Sequence, residues 1–136
     1  MSVRKGDRTE SDLEVLNCAK ELALYTLRAV KNERLFPKNQ RWIMSQKIAN
    51  ECVDAVTLIR MANSVWVDTD EDYKYRRSLQ VQAHAHLGGL FSLVDLAYNF
   101  NDIDSAKIEY WTKLIHDTDS KLKSWMKSEK EKRKQV

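Results

Sequence analysis

The sequence predicts an all-α protein, an up-down-up-down four-helix bundle, and three observations carry that prediction. Only three glycines and one proline punctuate 136 residues, so the chain has few places to turn. Strand patterning, short runs alternating β-branched or aromatic residues with polar ones, is absent. Instead, four long stretches place apolar residues at three- and four-residue steps, with brief polar breaks between them.

Each element follows from its own residues. "SDLE", Ser11 to Glu14, has the form of a capping box, in which Ser11 accepts from the third amide and Glu14 reaches back. Helix 1 then carries Leu13, Leu16, Ala19, Ala23, Leu27 and Val30 on one face. It ends before "RLFPKNQ", where Pro37 opens helix 2 at a first-turn position that tolerates proline. Helix 2 repeats Trp42, Ile48, Ala49, Cys52, Ala55, Val56, Ile59, Ala62 and Trp66. "VDTDED" breaks the pattern and sets acidic residues at the next amino end, where the helix dipole favours them. Helix 3 runs from Glu71 to Asn99, "NFNDIDS" follows, and Asp104 or Ser105 caps helix 4. Helix 4 shows Ile108, Trp111, Ile115, Thr118, Leu122 and Trp125.

These elements make one domain, residues 11–127, between a basic arm at 1–10 and a charged tail at 128–136 expected to fray. No apolar run reaches membrane-spanning length, and "MSVRKGDRTE" lacks a signal peptide's apolar segment, so a cytoplasmic location is expected. Cys18 and Cys52 then read as reduced thiols. With the first hairpin turning near Leu35, they fall at the same level of the bundle.

The stretch "HAHLGGLF", His84 to Phe91, looks like chemistry inside helix 3. On a wheel of about 100° per residue, Leu79, Ala83, His86, Leu87, Leu90, Leu93, Val94 and Ala97 form the core face. Tyr73, Arg77, His84, Gly88, Phe91, Asp95 and Tyr98 form a second face, mixing aromatics, a glycine and polar groups as a protein contact does. Mid-helix glycine costs about 1 kcal/mol against alanine, and close approach of another backbone offsets it; a glycine that merely weakens the helix is the alternative. Tyr73, His84, Gly88, Phe91 and Tyr98 are therefore the candidate contact to a second copy. A metal site is not expected. His84 and His86 lie about 200° apart and cannot share an ion, and no Glu-x-x-His pair exists. His116 stands by itself, and the glycines do not join a strand to a helix, so they form no phosphate loop.

Arg77 and His84, two turns apart on one face, resemble the arginine–histidine motif of HEPN-type ribonucleases, in which histidine moves a proton and arginine holds phosphate charge. The motif here lies mid-helix rather than beside a loop. The formal charge of +3 permits a nucleic-acid partner without requiring one. Topology sorts the basic residues. Lys31, Arg34, Lys38 and Arg41, with Lys47 beyond, gather at the end holding the helix 1–2 turn. Lys74, Arg76 and Arg77 gather at the other end with the arm and the tail, whose residues 121–134 include seven basic and two acidic side chains. Binding through such patches is salt-sensitive and nearly indifferent to sequence.

"ESDLEVLNCAKELALYTLRAVKNERLFPKNQRWIMSQKIANECVDA", then "ANSVWV", and "KIEYWTKLIHDTDSKLKSWMKS" at the close resemble the accessory variability determinant proteins of diversity-generating retroelements. The specific marks are "FPK" at Phe36 to Lys38 leading into "SQKI", and the "KSWMKS" ending. The resemblance implies a homopentameric barrel of bundles with no cofactor, metal or small-molecule substrate. It also implies binding to a reverse transcriptase and its template RNA or cDNA, the partner enzyme doing the chemistry. The sister ribosomal RNA intervening-sequence proteins share the "FPK" turn but continue helix 2 into an asparagine–isoleucine–alanine–glutamate–glycine run. This chain has "AVTLIRMANSV" there, which favours the retroelement branch. An RNA-binding bundle of the sister type is the alternative, and a ribonuclease using Arg77 and His84 is a third reading.

Overall fold

A computed structural model describes residues 10–134, with the side chains of residues 14–134. The basic arm and the side chains of Ser11 and Leu13 lie outside them. Four helices follow in order: α1 (Glu10–Val30), α2 (Gln46–Ser64), α3 (Asp70–Asn101) and α4 (Ser105–Lys134). Each packs on its two neighbours around the bundle, and α1 closes the ring against α4. No strand occurs among the described residues.

Helix α1 already includes Glu10, ahead of the expected start, and the expected Ser11–Glu14 capping box rests on Ser11, outside the described side chains. Its buried face is Val15, Leu16, Ala19, Leu22, Thr26 and Ala29. That arc is rotated from the expected one, leaving Leu27 41% exposed. The cause is Thr26, fully buried because the Trp111 indole N–H donates to its hydroxyl at 2.9 Å.

The α1–α2 connection is built on Asn32. Its carbonyl accepts from Leu35 and Phe36 N–H at 3.0 and 2.9 Å, and its side chain accepts from Arg34 N–H. Pro37, at φ −56°, leads into a 3₁₀ turn (Lys38–Gln40) and a π turn (Arg41–Ser45) before α2 begins. Cys52 Sγ lies 4.0 Å from the Leu22 carbonyl oxygen. Leu22 and Cys52 are equidistant from Pro37, so the hairpin is centred there rather than at Leu35, and Cys18 sits one turn away. Both thiols are free, and burial pushes that of Cys52 up to about 11.

Helix α3 has a capping box the sequence reading missed. Thr69 Oγ1 accepts from Asp72 N–H at 3.1 Å, and Asp72 Oδ2 accepts from Thr69 N–H at 3.0 Å. The Thr69 and Asp68 amides, both donating to Asp72 Oδ2, hold that carboxyl below the usual aspartate range. The helix ends at Asp102 in the left-handed region, φ 51°. In α4 the expected core residues Trp111, Ile115, Thr118, Leu122 and Trp125 are all buried.

The tail does not fray at residue 128. Helix α4 continues to Lys134, because Glu129 is drawn inward by Arg76, and Arg133 reaches Asp70 at 3.1 Å and lies over the Tyr73 ring. Arg76 fastens this end of the bundle. Its Nε donates to the Ala62 carbonyl at 3.0 Å, one terminal nitrogen to the Val65 carbonyl and the other to Glu129 Oε2. It thereby satisfies the Val65 carbonyl just past the end of α2 and adds a donor to that of Ala62, which also accepts from Val65 N–H.

One turn on, Gln80 is fully buried, and neither its amide nitrogen nor its oxygen has a hydrogen-bond partner. A buried unpaired amide costs about 1–3 kcal/mol. Gln80→Leu is therefore expected to stabilise the protein by about that amount. Urea denaturation followed by circular dichroism measures it, and a destabilised variant would mean the amide has a bonded role.

Candidate nucleic-acid interface

The basic residues expected near the α1–α2 turn come together on one corner. Residues 28–47 hold six basic side chains and one acidic, a net of +5 against +3 for the whole chain, so the remaining residues sum to −2. All six (Arg28, Lys31, Arg34, Lys38, Arg41 and Lys47) are exposed. The lone acid, Glu33, sits 3.6 Å from Lys38 in an open ion pair of the weak, readily exchanged kind. Across the same end, the α3–α4 corner presents exposed Asp102, Asp104 and Glu109. The end is thus polarised, positive on one side and negative on the other.

A groove of about 410 Å³ runs through the positive corner. Phe36, Pro37 and Val30 contribute its apolar lining, and Lys31, Lys38 and Arg41 outweigh Glu33 in its charge. Trp42 stands at its edge, 71% exposed, and Ile43 beside it is 60% exposed. Core packing explains the local fold. Phe36 is buried edge-on to Trp111, 6.1 Å between ring centres, and Met44 turns inward within the π turn. Gln40 and Asn101 tie this start of α2 to the end of α3 through side-chain hydrogen bonds of 2.7 Å.

In the second basic group, two of the three named residues are engaged within the fold. Arg76 is 8% exposed and its guanidinium is committed to Ala62, Val65 and Glu129, so it leaves the candidate set. Arg77 is held by the Tyr73 hydroxyl at 2.9 Å and the Met126 carbonyl at 3.0 Å. Lys74 stays exposed, 3.3 Å from Asp70.

"HAHLGGLF" resolves into packing. His84 Nδ1 lies 2.6 Å from Asp119 of α4, and His86 Nδ1 lies 2.6 Å from Glu51 of α2. The two rings point to opposite neighbours, as the wheel predicts. His86 is a half-buried partner of Glu51 and not a core residue. Gly89 lies against that pairing: a Cβ there would stand 2.8 Å from Glu51 Oε1, and the flexible carboxylate would have to shift. Gly88, the residue expected to admit another backbone, has nothing within 4 Å of a Cβ position.

The face assigned to a second copy is largely taken by the chain's own α4. Phe91 meets His116 with 5.2 Å between ring centres, Tyr73 lies under Arg133, and Phe91 and Tyr98 pack on the core. A cleft of about 280 Å³ remains beside His84, Gly88, Phe91, His116 and Asp119. Arg77 and His84 do not converge on it. Their α4 partners, Met126 and Asp119, lie about 10 Å apart along the helix, so each side chain is held at a different level. Among the described residues, no group of three or more His, Cys, Asp or Glu is placed to hold a metal ion.

Sequence reasoning missed Trp42 as a surface residue and placed it in the core stripe. The signal was present: it lies six residues before Ile48, about 120° off the core direction of a regular helix. No family model matches the chain, and no curated protein or solved structure matches it. Among the described residues, no helix is long and apolar enough to cross a membrane.

Proposed function

We propose that this chain is a non-catalytic accessory protein of a diversity-generating retroelement, binding the partner reverse transcriptase and its template RNA or cDNA to support mutagenic cDNA synthesis. One observation carries the nucleic-acid half: the concentration of +5 on residues 28–47 of a chain that is otherwise net acidic. Charge gathered at one corner attracts phosphate better than the same charge spread over the surface, and here it stands beside an apolar groove, which distinguishes it from the equal net of +5 on residues 121–134 at the other end. The reverse-transcriptase half and the homopentamer rest on the sequence resemblance. Exposed Leu96 and Phe100, one turn apart on α3 and 55% and 62% accessible, support a protein contact.

The test is nucleic-acid affinity measured by fluorescence anisotropy across a salt series. Replacing Lys38 and Arg41 with alanine is expected to flatten the slope of log K against log salt by about 1.4 on single strands, or 1.8 on duplex, for two lost phosphate contacts. An unchanged slope would place binding elsewhere. A gene neighbourhood without a reverse transcriptase and paired template and variable repeats would remove the proposed partner.

A further inference from the structure

Charge explains attraction to phosphate but not why a tryptophan stands in solvent beside it. Trp42 is the most exposed large apolar side chain among the described residues, and Ile43 next to it is nearly as open. Single apolar residues on a surface need no explanation, but an exposed tryptophan at the edge of a groove, with an exposed isoleucine next in the chain, does. The backbone beneath them is unusual as well. Arg41–Ser45 forms a π turn, a rare geometry that concentrates at functional sites. It directs Met44 inward and leaves Trp42 and Ile43 outside.

We infer that the groove is a stacking site for an unpaired nucleobase, so that the corner prefers single-stranded nucleic acid to duplex. This rests on the nucleic-acid reading above and names the substrate class. The indole face of Trp42 offers the platform, while Phe36 and Pro37 line the groove beside it. Lys31, Lys38 and Arg41 line the same groove and meet the phosphates flanking that base. Aromatic surface interleaved with basic side chains is the arrangement by which sequence-indifferent proteins hold single strands, since every base has a π face. In a duplex the bases stack on one another and Trp42 has nothing to receive. No base-edge reader is required, and binding should be tolerant of sequence.

The experiment titrates the full chain with labelled single-stranded RNA, single-stranded DNA of the same sequence, and the matched duplex, at several salt concentrations. Stacking is common to both single strands, and the tighter of the two identifies the natural ligand. Single strands are expected to bind about 5- to 100-fold more tightly than duplex, the range that stacking of one base supplies. Trp42→Ala should weaken single-strand binding by the same factor while leaving the salt slope intact, because no phosphate contact is lost. Trp42→Phe should restore most of the affinity. An unfolded variant is not expected at so exposed a position, and circular dichroism checks this. Equal affinity for single strand and duplex, with Trp42→Ala neutral, would overturn the stacking site and leave charge-driven binding standing. No binding to any nucleic acid at low salt would remove both.

Discussion

Arg76→Ala is expected to destabilise the protein by about 3–5 kcal/mol, the cost of breaking a buried ion pair from one side. The substitution strands two groups at once. Glu129 is left with a 13% exposed carboxylate and no cation, and the Val65 carbonyl loses its donor, while the Ala62 carbonyl keeps only the Val65 N–H at 3.3 Å. The guanidinium also lies 5.7 Å from the centre of the Trp125 ring, so packing goes with the charge. Urea unfolding monitored by circular dichroism gives the difference. A control separates the pair from its parts. Replacing Arg76 and Glu129 together with methionine removes the stranded charge, and should recover much of the loss. A single-variant cost under about 1 kcal/mol would show that water serves these groups as well as arginine does.

Trp111→Ala should cost a comparable amount, about 3–5 kcal/mol, for a different reason. Trp111 is 1% exposed, and Tyr25 and Phe36 approach it edge-on at 5.8 and 6.1 Å between ring centres. Removing the indole opens a cavity at the meeting point of α1, α4 and the α1–α2 turn. It also leaves the buried Thr26 hydroxyl without its donor. Trp111→Phe keeps most of the volume and should lose about 1–2 kcal/mol, roughly the hydrogen bond and the misfit. Near-ultraviolet dichroism should record the loosened aromatic cluster. Equal costs for the two variants would assign the whole effect to the hydrogen bond. The site is tied to this core, because Phe36 rests on Trp111 and lines the basic groove.

The bundle was legible because scarce turn residues and a three-to-four apolar step leave little else for a chain to do. The core of helix 4 from Trp111 to Trp125 was legible because it is large and aromatic, whereas its run on to Lys134 was not, because Arg76 and Asp70 stand on another helix. Helix 1 was misphased because its buried face contains Thr26, which no hydropathy pattern marks as interior. Arg76 and Gln80 failed for the same reason: polar residues enter a core through partners on other helices, or against their own cost, and neither cause is local in sequence. The divergence of His84 from His86 was predictable, since it follows from helix geometry. What Gly89 accommodates was not, because Glu51 stands 38 positions earlier in the chain. The basic corner could be read from topology. Trp42 could have joined it had its angle been weighed against Ile48.

The two tips of this rod are fastened by unlike forces, and solvent should be able to loosen them independently. At the tip where Arg133 clasps Asp70, a side chain 66% open to water, added salt weakens the outer latch, though the inner Arg76 clamp is sheltered. At the opposite tip the interlocked rings around Trp111 are indifferent to ionic screening and tightened by sulfate. Amide exchange would therefore move in opposite senses at the two extremities as sulfate is raised, and the tip holding Trp111 is the one that stiffens.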